Sequence, residues 1–154
     1  MPEFRVSRIE TQEALEAALA IRTQVFVDEQ HVPIGEEVDG DDTLAAIATR
    51  AVHVLGRLDG AAIATARLVF DPQAETAPHI GRVAVLLPHR GHGYGAAIMQ
   101  ALHAEARARG YGAVTLAAQV QAIPFYERLG YVARGPVFLD AGIAHRAMDL
   151  RFER

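Results

Sequence analysis

Cysteine and lysine are both absent from the 154-residue chain. Without cysteine there can be no disulfide, no thiolate zinc site and no cysteine nucleophile, so three kinds of chemistry are excluded. All 15 positively charged side chains are arginine. Because alanine is also abundant, we attribute this bias to genomic base composition and not to a function.

Long apolar runs and a basic charge surplus are missing as well. No apolar run approaches the roughly 18 residues of a membrane span, and residues 1–5 lack the apolar core of a signal peptide. We therefore expect a cytoplasmic protein with no membrane partner. The net charge of −4 argues against a nucleic-acid partner, since proteins that bind nucleic acid usually present a basic face. No metal signature such as H-E-x-x-H is present, so we expect no catalytic metal.

The length and composition are those of one globular domain. Hydrophobic residues make up 51% of the chain and charged residues 22%, which is far from the composition of a disordered protein. A chain of this length can bury a substantial core. We expect a single domain that covers residues 1–154.

Short apolar runs and helical periodicities follow one another along the chain. Apolar, β-branched or alternating runs predict strands at residues 4–9, 52–58, 61–70, 80–87, 114–118, 131–138 and 145–151. Apolar residues three and four apart predict helices at residues 12–27, 96–109 and 122–129, and a capping residue predicts a short helix that ends at Thr49. This order predicts an α/β domain with a mixed sheet of six or seven strands.

Seven carboxylates and no arginine occupy residues 28–42. One proline and two glycines in the same segment predict a loop. Two interpretations are open. The segment could be a solvated loop in which Asp42 or Thr43 caps the following helix, or an electronegative wall that attracts a cationic amine.

Residues 90–95, Arg-Gly-His-Gly-Tyr-Gly, lie between an apolar strand and a helix. The first N–H groups of a helix have no partner within it and carry partial positive charge, so a phosphate can bind there. Gly91, Gly93 and Gly95 would permit positive φ angles and a close approach of a ligand, and Arg90 adds a planar set of donors. The pattern is neither a P-loop nor G-x-G-x-x-G. Alone, it fits a phosphate site and a tight turn about equally well.

Three separated stretches resemble the GNAT-type N-acetyltransferases. They are Ile80-Gly81-Arg82-Val83-Ala84-Val85 with Arg90-x-x-Gly93-x-Gly95, then Pro124-Phe125-Tyr126-Glu127-Arg128-Leu129-Gly130-Tyr131, and residues 22–30 followed by Glu37 and Asp39. The last stretch is similar to the ElaA-like branch of that superfamily. Together the stretches cover most of the chain in the order that the family has.

The resemblance implies a GNAT-like α/β (α+β) fold. Its mixed, mostly antiparallel sheet would have six or seven strands and about four flanking helices. Two parallel strands, at residues 80–87 and 114–118, would splay apart at the centre. Acetyl-CoA, the implied co-substrate, would lie in this opening, where unpaired strand groups can bind its pantetheine amides.

The resemblance also assigns residues to the binding of acetyl-CoA. Those implied to hold the pantetheine arm and the pyrophosphate are Val83, Ala84, Val85, Arg90, Gly91, His92, Gly93, Tyr94, Gly95, Gln119, Phe125 and Tyr126. Gln119 departs from the family pattern, because many GNAT proteins carry an asparagine at the matching position.

For catalysis, Tyr126 matches the GNAT tyrosine that faces the CoA sulfur. A free thiol has a pKa of about 8.5 and tyrosine one of about 10, so a positioned phenol can donate a proton as charge develops on sulfur. The alternative is a helix tyrosine that simply packs in the core. The general base stays open among Glu37, Asp39, His79 and His145. The two carboxylates are favoured, because the acidic residues after the first helix belong to the acceptor side in the ElaA-like pattern.

These observations predict an N-acetyltransferase that moves the acetyl group of acetyl-CoA to a primary amine of a small molecule, or of a peptide, by direct attack in a ternary complex. One alternative is a non-catalytic acyl-CoA-binding or regulatory module. Another is an acyl-homoserine-lactone-synthase-like acyltransferase, since those chains also have an Arg-to-Phe helix followed by acidic residues. We expect a monomer or a homodimer.

Overall fold

The computed structural model describes residues 2–153. Its strands are β1 Phe4–Arg8, β2 Ala51–Leu58, β3 Ala61–Val69, β4 His79–Val85, β5 Ala113–Gln119, β6 Val132–Asp140 and β7 Ile143–Arg151. Its α-helices are α1 Gln12–Arg22, α2 Ile34–Glu37, α3 Leu44–Thr49, α4 Tyr94–Ala108 and α5 Ile123–Arg128. A π-helical segment, Thr23–Glu29, continues α1, and short 3₁₀ turns lie at Leu87–His89 and Val120–Ala122. Within residues 2–153, no helix is long and apolar enough to cross a membrane.

The seven strands form one sheet in the order β1-β2-β3-β4-β5-β7-β6. Every neighbouring pair is antiparallel except β4 and β5. This parallel pair is joined at only two positions, where His79 faces Thr115 and Ile80 faces Leu116. Beyond Ile80 the two strands diverge. The predicted mixed sheet with a central splay is therefore confirmed.

The antiparallel strands β2 and β3 form a hairpin with a two-residue connection. Asp59 and Gly60, which connect its strands, have φ angles of 49° and 88°. Two positive φ angles in a two-residue connection are typical of the type I′ turn, which suits the twist of paired strands. The Asp-Gly dipeptide therefore sets the register of this part of the sheet.

Helices pack on both faces of the sheet. On one face, the buried residues Ile98, Met99 and Leu102 of α4 pack on a core cluster that includes Val54. On the other face, α1 packs on the next residue of the same strand, Leu55. Because successive side chains of a strand point to opposite faces, the apolar run in β2 serves both layers.

The first helix differs from its prediction in type. The sequence predicts one helix over residues 12–27, but the α-helix ends at Arg22 and wider π-helical turns follow. The N–H of Gln30 donates to the carbonyl of Val25, five residues earlier, as the π-helical pattern requires. The hydroxyl of Thr23 also donates to the carbonyl of Leu19, at 2.9 Å. Apolar spacing cannot distinguish these two helix types.

A buried polar pair links α4 to the start of β6. His103 Nε2 and the hydroxyl of Tyr131 share a hydrogen bond of 2.6 Å. Burial, together with the nearby charge of Arg107, lowers the pKa of His103 to about 4. The imidazole is therefore neutral in the folded protein at neutral pH.

Candidate active site

A cleft opens where β4 and β5 diverge. It has a volume of about 700 Å³ and is lined by residues of the π-helical segment, β4, the end of β5, α5 and the β6–β7 turn. The split in the sheet creates this cleft, because no strand fills the gap beyond Ile80. Of the five predicted catalytic residues, Tyr126, Glu37, His79 and His145 line the cleft and Asp39 does not.

The glycine-rich turn leads from β4 into α4. Gly91 and Gly93 have φ angles of 82° and 83°, and Gly93 occupies the N-cap position of α4 without any side-chain cap. The first N–H groups of this 15-residue helix are thus free to bind an anion. Gly95 does not adopt a positive φ angle, because it lies within the helix. A Cβ there would lie 3.3 Å from the ring of Phe125, so close packing explains this third glycine.

Arg90 supports this turn through two hydrogen bonds, although its side chain is 38% exposed. Its Nε donates to the carbonyl of Val85 at 2.8 Å, and its Nη2 donates to a carboxylate oxygen of Glu29 at 2.8 Å. The arginine therefore connects the end of β4 to the π-helical segment. Of the turn residues 90–95, Arg90 is the one that lines the cleft.

The other predicted CoA-binding residues divide into two groups. Val83, Ala84, Val85 and Gln119 line the cleft, whereas the two aromatic residues within the turn, His92 and Tyr94, belong to a separate cluster. Tyr94 stacks on Phe4 with ring centroids 4.4 Å apart, and His92 lies 5.9 Å from Tyr94. Phe125 packs edge-on against Tyr126.

Gln119 is part of a chain of amides at the end of β5. Its Nε2 donates to Gln30 at 2.7 Å, and its Oε1 accepts from Gln121 at 2.6 Å. Gln30 directly follows the π-helical segment. The longer side chain that replaces the family's asparagine thus reaches across to the opposite wall of the cleft.

Tyr126 lies on α5 and is 9% exposed. Its ring packs against Phe125 and Tyr131, with centroids 5.0 and 5.8 Å away. Its side chain lines the cleft, and none of residues 2–153 forms a hydrogen bond with its hydroxyl. Burial raises the pKa of Tyr126 to about 12, so the phenol keeps its proton at neutral pH.

The acidic segment is neither wholly the electronegative wall nor wholly the solvated loop that the sequence allowed, because arginines from other elements pair with three of its carboxylates. Arg22, which is 1% exposed, donates from Nε to Glu37 at 2.6 Å and from Nη1 and Nη2 to Asp42 at 2.7 and 2.9 Å. Arg67 donates to both carboxylate oxygens of Asp39 at 2.7 Å and to Asp42 at 2.9 Å. Arginines distant in the sequence therefore neutralise these carboxylates. Thr43, and not Asp42, caps α3.

These ion pairs shift the pKa values of the carboxylates. Burial alone would raise the pKa of Asp42, but the hydrogen bond from Arg22 and the charges of Arg22 and Arg67 hold it well below its usual range. The hydrogen bond from Arg67 likewise lowers the pKa of Asp39. Both groups are ionised at neutral pH and are tightly paired.

A third arginine, Arg82, lies beside these ion pairs. We call the six residues together the ionic cluster: Arg22, Arg67, Arg82, Glu37, Asp39 and Asp42. Arg82 sits in a β-bulge, where β4 carries one residue more than β3 between the paired positions. Its φ angle is 53°, an unusual value for a residue with a long side chain. Its Nε donates to the carbonyl of Glu37 at 3.0 Å, and its side chain lines the cleft.

Sequence reasoning assigned no function to Arg22, Arg67 or Arg82. The signal that could have found them is a single arginine inside an apolar run, because such a charge must find a partner when the run is buried. The acidic residues at 36–42 were the available partners.

Two of the predicted base candidates are histidines that line the cleft, His79 and His145. His79 begins β4 and is exposed. His145 lies on β7 opposite Gln119, stacks on Phe138, and places Nδ1 at 2.7 Å from the carbonyl oxygen of Ile143. Among residues 2–153, no group of histidine and acidic side chains is arranged to hold a metal ion.

The chain matches the family model described as the Acetyltransferase (GNAT) domain over residues 54–152. YyaT, an uncharacterised protein of Bacillus subtilis (strain 168), is 34% identical over 151 residues, which cover 98% of this chain and 98% of YyaT.

Two solved structures resemble the chain over nearly its whole length. An acyl-CoA N-acyltransferase from Pseudomonas aeruginosa is 32% identical, with a TM-score of 0.81 over 97% of this chain and 99% of that one. Escherichia coli ElaA is 28% identical, with a TM-score of 0.82 over 97% and 99% of the two chains. The split sheet, the glycine-rich turn and these similarities agree: the chain belongs to the GNAT acetyltransferase family, in its ElaA-like branch.

Proposed function

We propose that the protein is an acetyl-CoA-dependent N-acetyltransferase that acts on a primary amine of a small molecule. The observation that carries this proposal is the cleft between β4 and β5, which is lined by Tyr126 and by Arg90 of the turn that leads into the uncapped N-terminus of α4. Membership of the GNAT family supports the type of reaction. Because relatives align over almost the full length, we also propose that residues 1–154 act as one catalytic domain.

The residues around the cleft fit acetyl-CoA. Pairing with β5 ends at Ile80, so the backbone beyond it, around Val83 and Val85, can bind the pantetheine amides much as an added strand would. The free N–H groups at the start of α4 suit the pyrophosphate. The positive φ angles of Gly91 and Gly93 give the turn the shape that presents those groups.

Tyr126 would act as the general acid. Acetyl-CoA would supply an acetyl group activated as a thioester. Tyr126 would hold a proton on its hydroxyl oxygen and pass it to the CoA sulfur as the carbon–sulfur bond breaks. Because burial raises the pKa of Tyr126 to about 12, the residue is suited to donate a proton and not to accept one.

We propose His145 as the general base. The carbonyl of Ile143 can only accept a hydrogen bond, so Nδ1 of His145 carries the hydrogen and Nε2 keeps a free lone pair. Glu37 and Asp39, which the sequence favoured, are held by Arg22 and Arg67. His79 is the second candidate. The base takes one proton as the amine nitrogen bonds to the acetyl carbon, and the acid returns one to sulfur, so the protons balance.

A screen of primary amines that follows CoA release tests the proposal. We expect turnover of at least one amine and a rise in Tm on addition of acetyl-CoA, because a ligand that binds only the folded state stabilises it. A rise in Tm without turnover of any amine would favour the non-catalytic acyl-CoA-binding module. If acetyl-CoA left the Tm unchanged, both the acetyltransferase and the acyl-CoA-binding module would be contradicted.

A further inference from the structure

Arg82 differs from the other two arginines of the ionic cluster in its partners. Arg22 and Arg67 each donate directly to carboxylate oxygens. Arg82 donates only to main-chain carbonyls, those of Glu37 at 3.0 Å and Glu36 at 3.4 Å. None of residues 2–153 accepts a hydrogen bond from its Nη1.

The carboxylates nearest to Arg82 are already engaged elsewhere. Its Nε lies 3.8 Å from Oε1 of Glu37, which accepts from Arg22, and its Nη2 lies 3.6 Å from Oδ2 of Asp39, which accepts from Arg67. Arg82 therefore keeps a donor group free on a side chain that is 27% exposed and lines the cleft.

The surroundings of Arg82 favour a further anion. Burial lowers the pKa of its guanidinium, and the neighbouring charges of Arg67 and Arg22 lower it further, against the opposing effect of Asp39 and Glu37. A carboxylate placed at Nη1 would stabilise the charged form. One free nitrogen suits a singly charged carboxylate better than a phosphate, which presents three strong acceptor oxygens.

The opposite charge is available on the rim of the same cleft. The side chains of Glu36 and Asp140 line it and are exposed, and no arginine or histidine among residues 2–153 pairs with either carboxylate. These carboxylates would attract an ammonium group as the acceptor approaches. The cleft thus offers an inner cation and outer anions, which together complement a zwitterion.

We infer that the acceptor amine is an amino acid and that Arg82 is the specificity-determining residue that binds its carboxylate. This inference rests on the proposed acetyltransferase function and names the substrate class of the same cleft. The β-bulge fixes the position of the Arg82 guanidinium. A backbone with a positive φ angle is strained, and it persists only where the surrounding structure holds that conformation.

Matched pairs of amines test the inference. Leucine and leucinamide, or phenylalanine and phenylalaninamide, have the same shape, but only the first of each pair carries a carboxylate. We expect kcat/KM to be roughly 10- to 100-fold higher for the amino acid, the range that a hydrogen bond to a charged group provides. The carboxamide has the lower amine pKa, so more of it is neutral at a given pH and the measured preference is a lower bound.

Variants of Arg82 provide the second arm. In Arg82→Gln, the ratio of kcat/KM between amino acid and carboxamide should fall close to one, and Arg82→Lys should recover part of it. Arg5→Gln is the matched control, because Arg5 is exposed and its one ion-pair partner among residues 2–153 is Glu3. In Arg5→Gln, the ratio of kcat/KM between amino acid and carboxamide should equal that of the wild type.

Product binding gives a readout that does not depend on turnover. Calorimetry on the CoA-saturated wild type should show tighter binding of N-acetyl-leucine than of N-acetyl-leucinamide, which keeps the test open if Arg82→Gln does not fold. Three results would overturn the inference and leave the proposed function standing. They are an equal kcat/KM for both members of each pair, an equal fold-loss of kcat/KM for both members in Arg82→Gln, and a preference for O-phosphoethanolamine over β-alanine. If acetyl-CoA binds and no amine at all is acetylated, the proposed function fails first.

Discussion

The hydroxyl of Tyr126 is the one group of that residue that packing does not explain. Its ring contacts Phe125 and Tyr131, and a phenylalanine would keep both contacts. We expect Tyr126→Phe to lower kcat by about 100-fold or more, the usual contribution of a positioned acid, while the KM for acetyl-CoA changes little. Steady-state kinetics over roughly pH 6 to 9 would measure this, and an unchanged kcat across that range would remove Tyr126 as the acid.

His103 makes the stability of the protein dependent on pH. Its pKa is about 4 in the folded protein, against 6.5 ordinarily, so between these values the unfolded chain binds a proton that the folded chain does not. Stability is therefore complete above about pH 6.5 and falls as the pH drops towards about 4, by up to about 1.4 kcal/mol per pH unit. Urea unfolding at a series of pH values measures this slope.

The control for this prediction removes both partners of the buried hydrogen bond. In the double variant His103→Leu with Tyr131→Phe, no imidazole titrates and no hydroxyl is left unpaired. The dependence of stability on pH should be shallower in this variant. Parallel slopes in the two proteins would show that His103 is not the source.

At the scale of elements, the ionic cluster holds the acidic segment against α1, β3 and β4. Asp42→Asn leaves the buried Arg22 without one of its carboxylates and also removes a partner of Arg67. We expect this variant to lose about 3 to 5 kcal/mol of unfolding free energy, because an uncompensated charge remains buried. Urea denaturation provides the measurement.

Asp41→Asn is the matched control for that variant. Asp41 is the neighbouring residue, but its partner Arg50 has a side chain that is 46% exposed. An ion pair in such a setting contributes at most about 1 kcal/mol. Equal losses in the two variants would mean that burial of the cluster does not govern its contribution.

Arg90, in the turn before α4, could bind the pyrophosphate directly or only support the turn, and two variants separate these roles. Arg90→Ala should raise the KM for acetyl-CoA about 10-fold and leave the KM for the amine nearly unchanged. Glu29→Gln removes the partner of Arg90 at 2.8 Å and keeps its positive charge. If Arg90 binds the pyrophosphate, this second variant keeps a low KM for acetyl-CoA; equal effects of Arg90→Ala on both substrates would contradict the assignment.

Across the whole molecule, local signals predicted the fold better than the ion pairs. The Asp59-Gly60 turn, the apolar strands and the glycines before α4 act within a few residues, so the positions of the strands and turns could be predicted, whereas the full order of the strands in the sheet could not. The ionic cluster joins residues far apart: Arg22 and Glu37 are 15 positions apart, and Arg82 and Glu37 are 45 apart. A single sequence carries no direct sign of such pairings, so it could not show that arginines of other elements neutralise the acidic segment.

The base could not be chosen from the sequence for a related reason. The acidic pattern favoured Glu37 and Asp39, but a sequence does not show which partners hold these carboxylates. Glu37 and Asp39 proved to be bound by Arg22 and Arg67, whereas the Nε2 of His145 remains free for the role that we propose.

The two-position join between β4 and β5 has a consequence for native-state hydrogen exchange. Between residues 78–80 and 115–116, two register pairs and a hydrogen bond from Thr115 to the carbonyl of Pro78 join the strands β1–β4 to β5–β7. Because this junction is so short, without ligand we expect the amides of the two groups of strands to exchange as two cooperative units with different opening free energies. Saturating acetyl-CoA should bring the two values together, and one common value without ligand would contradict this. The acyl donor would then be a temporary eighth strand that makes one folding unit out of two.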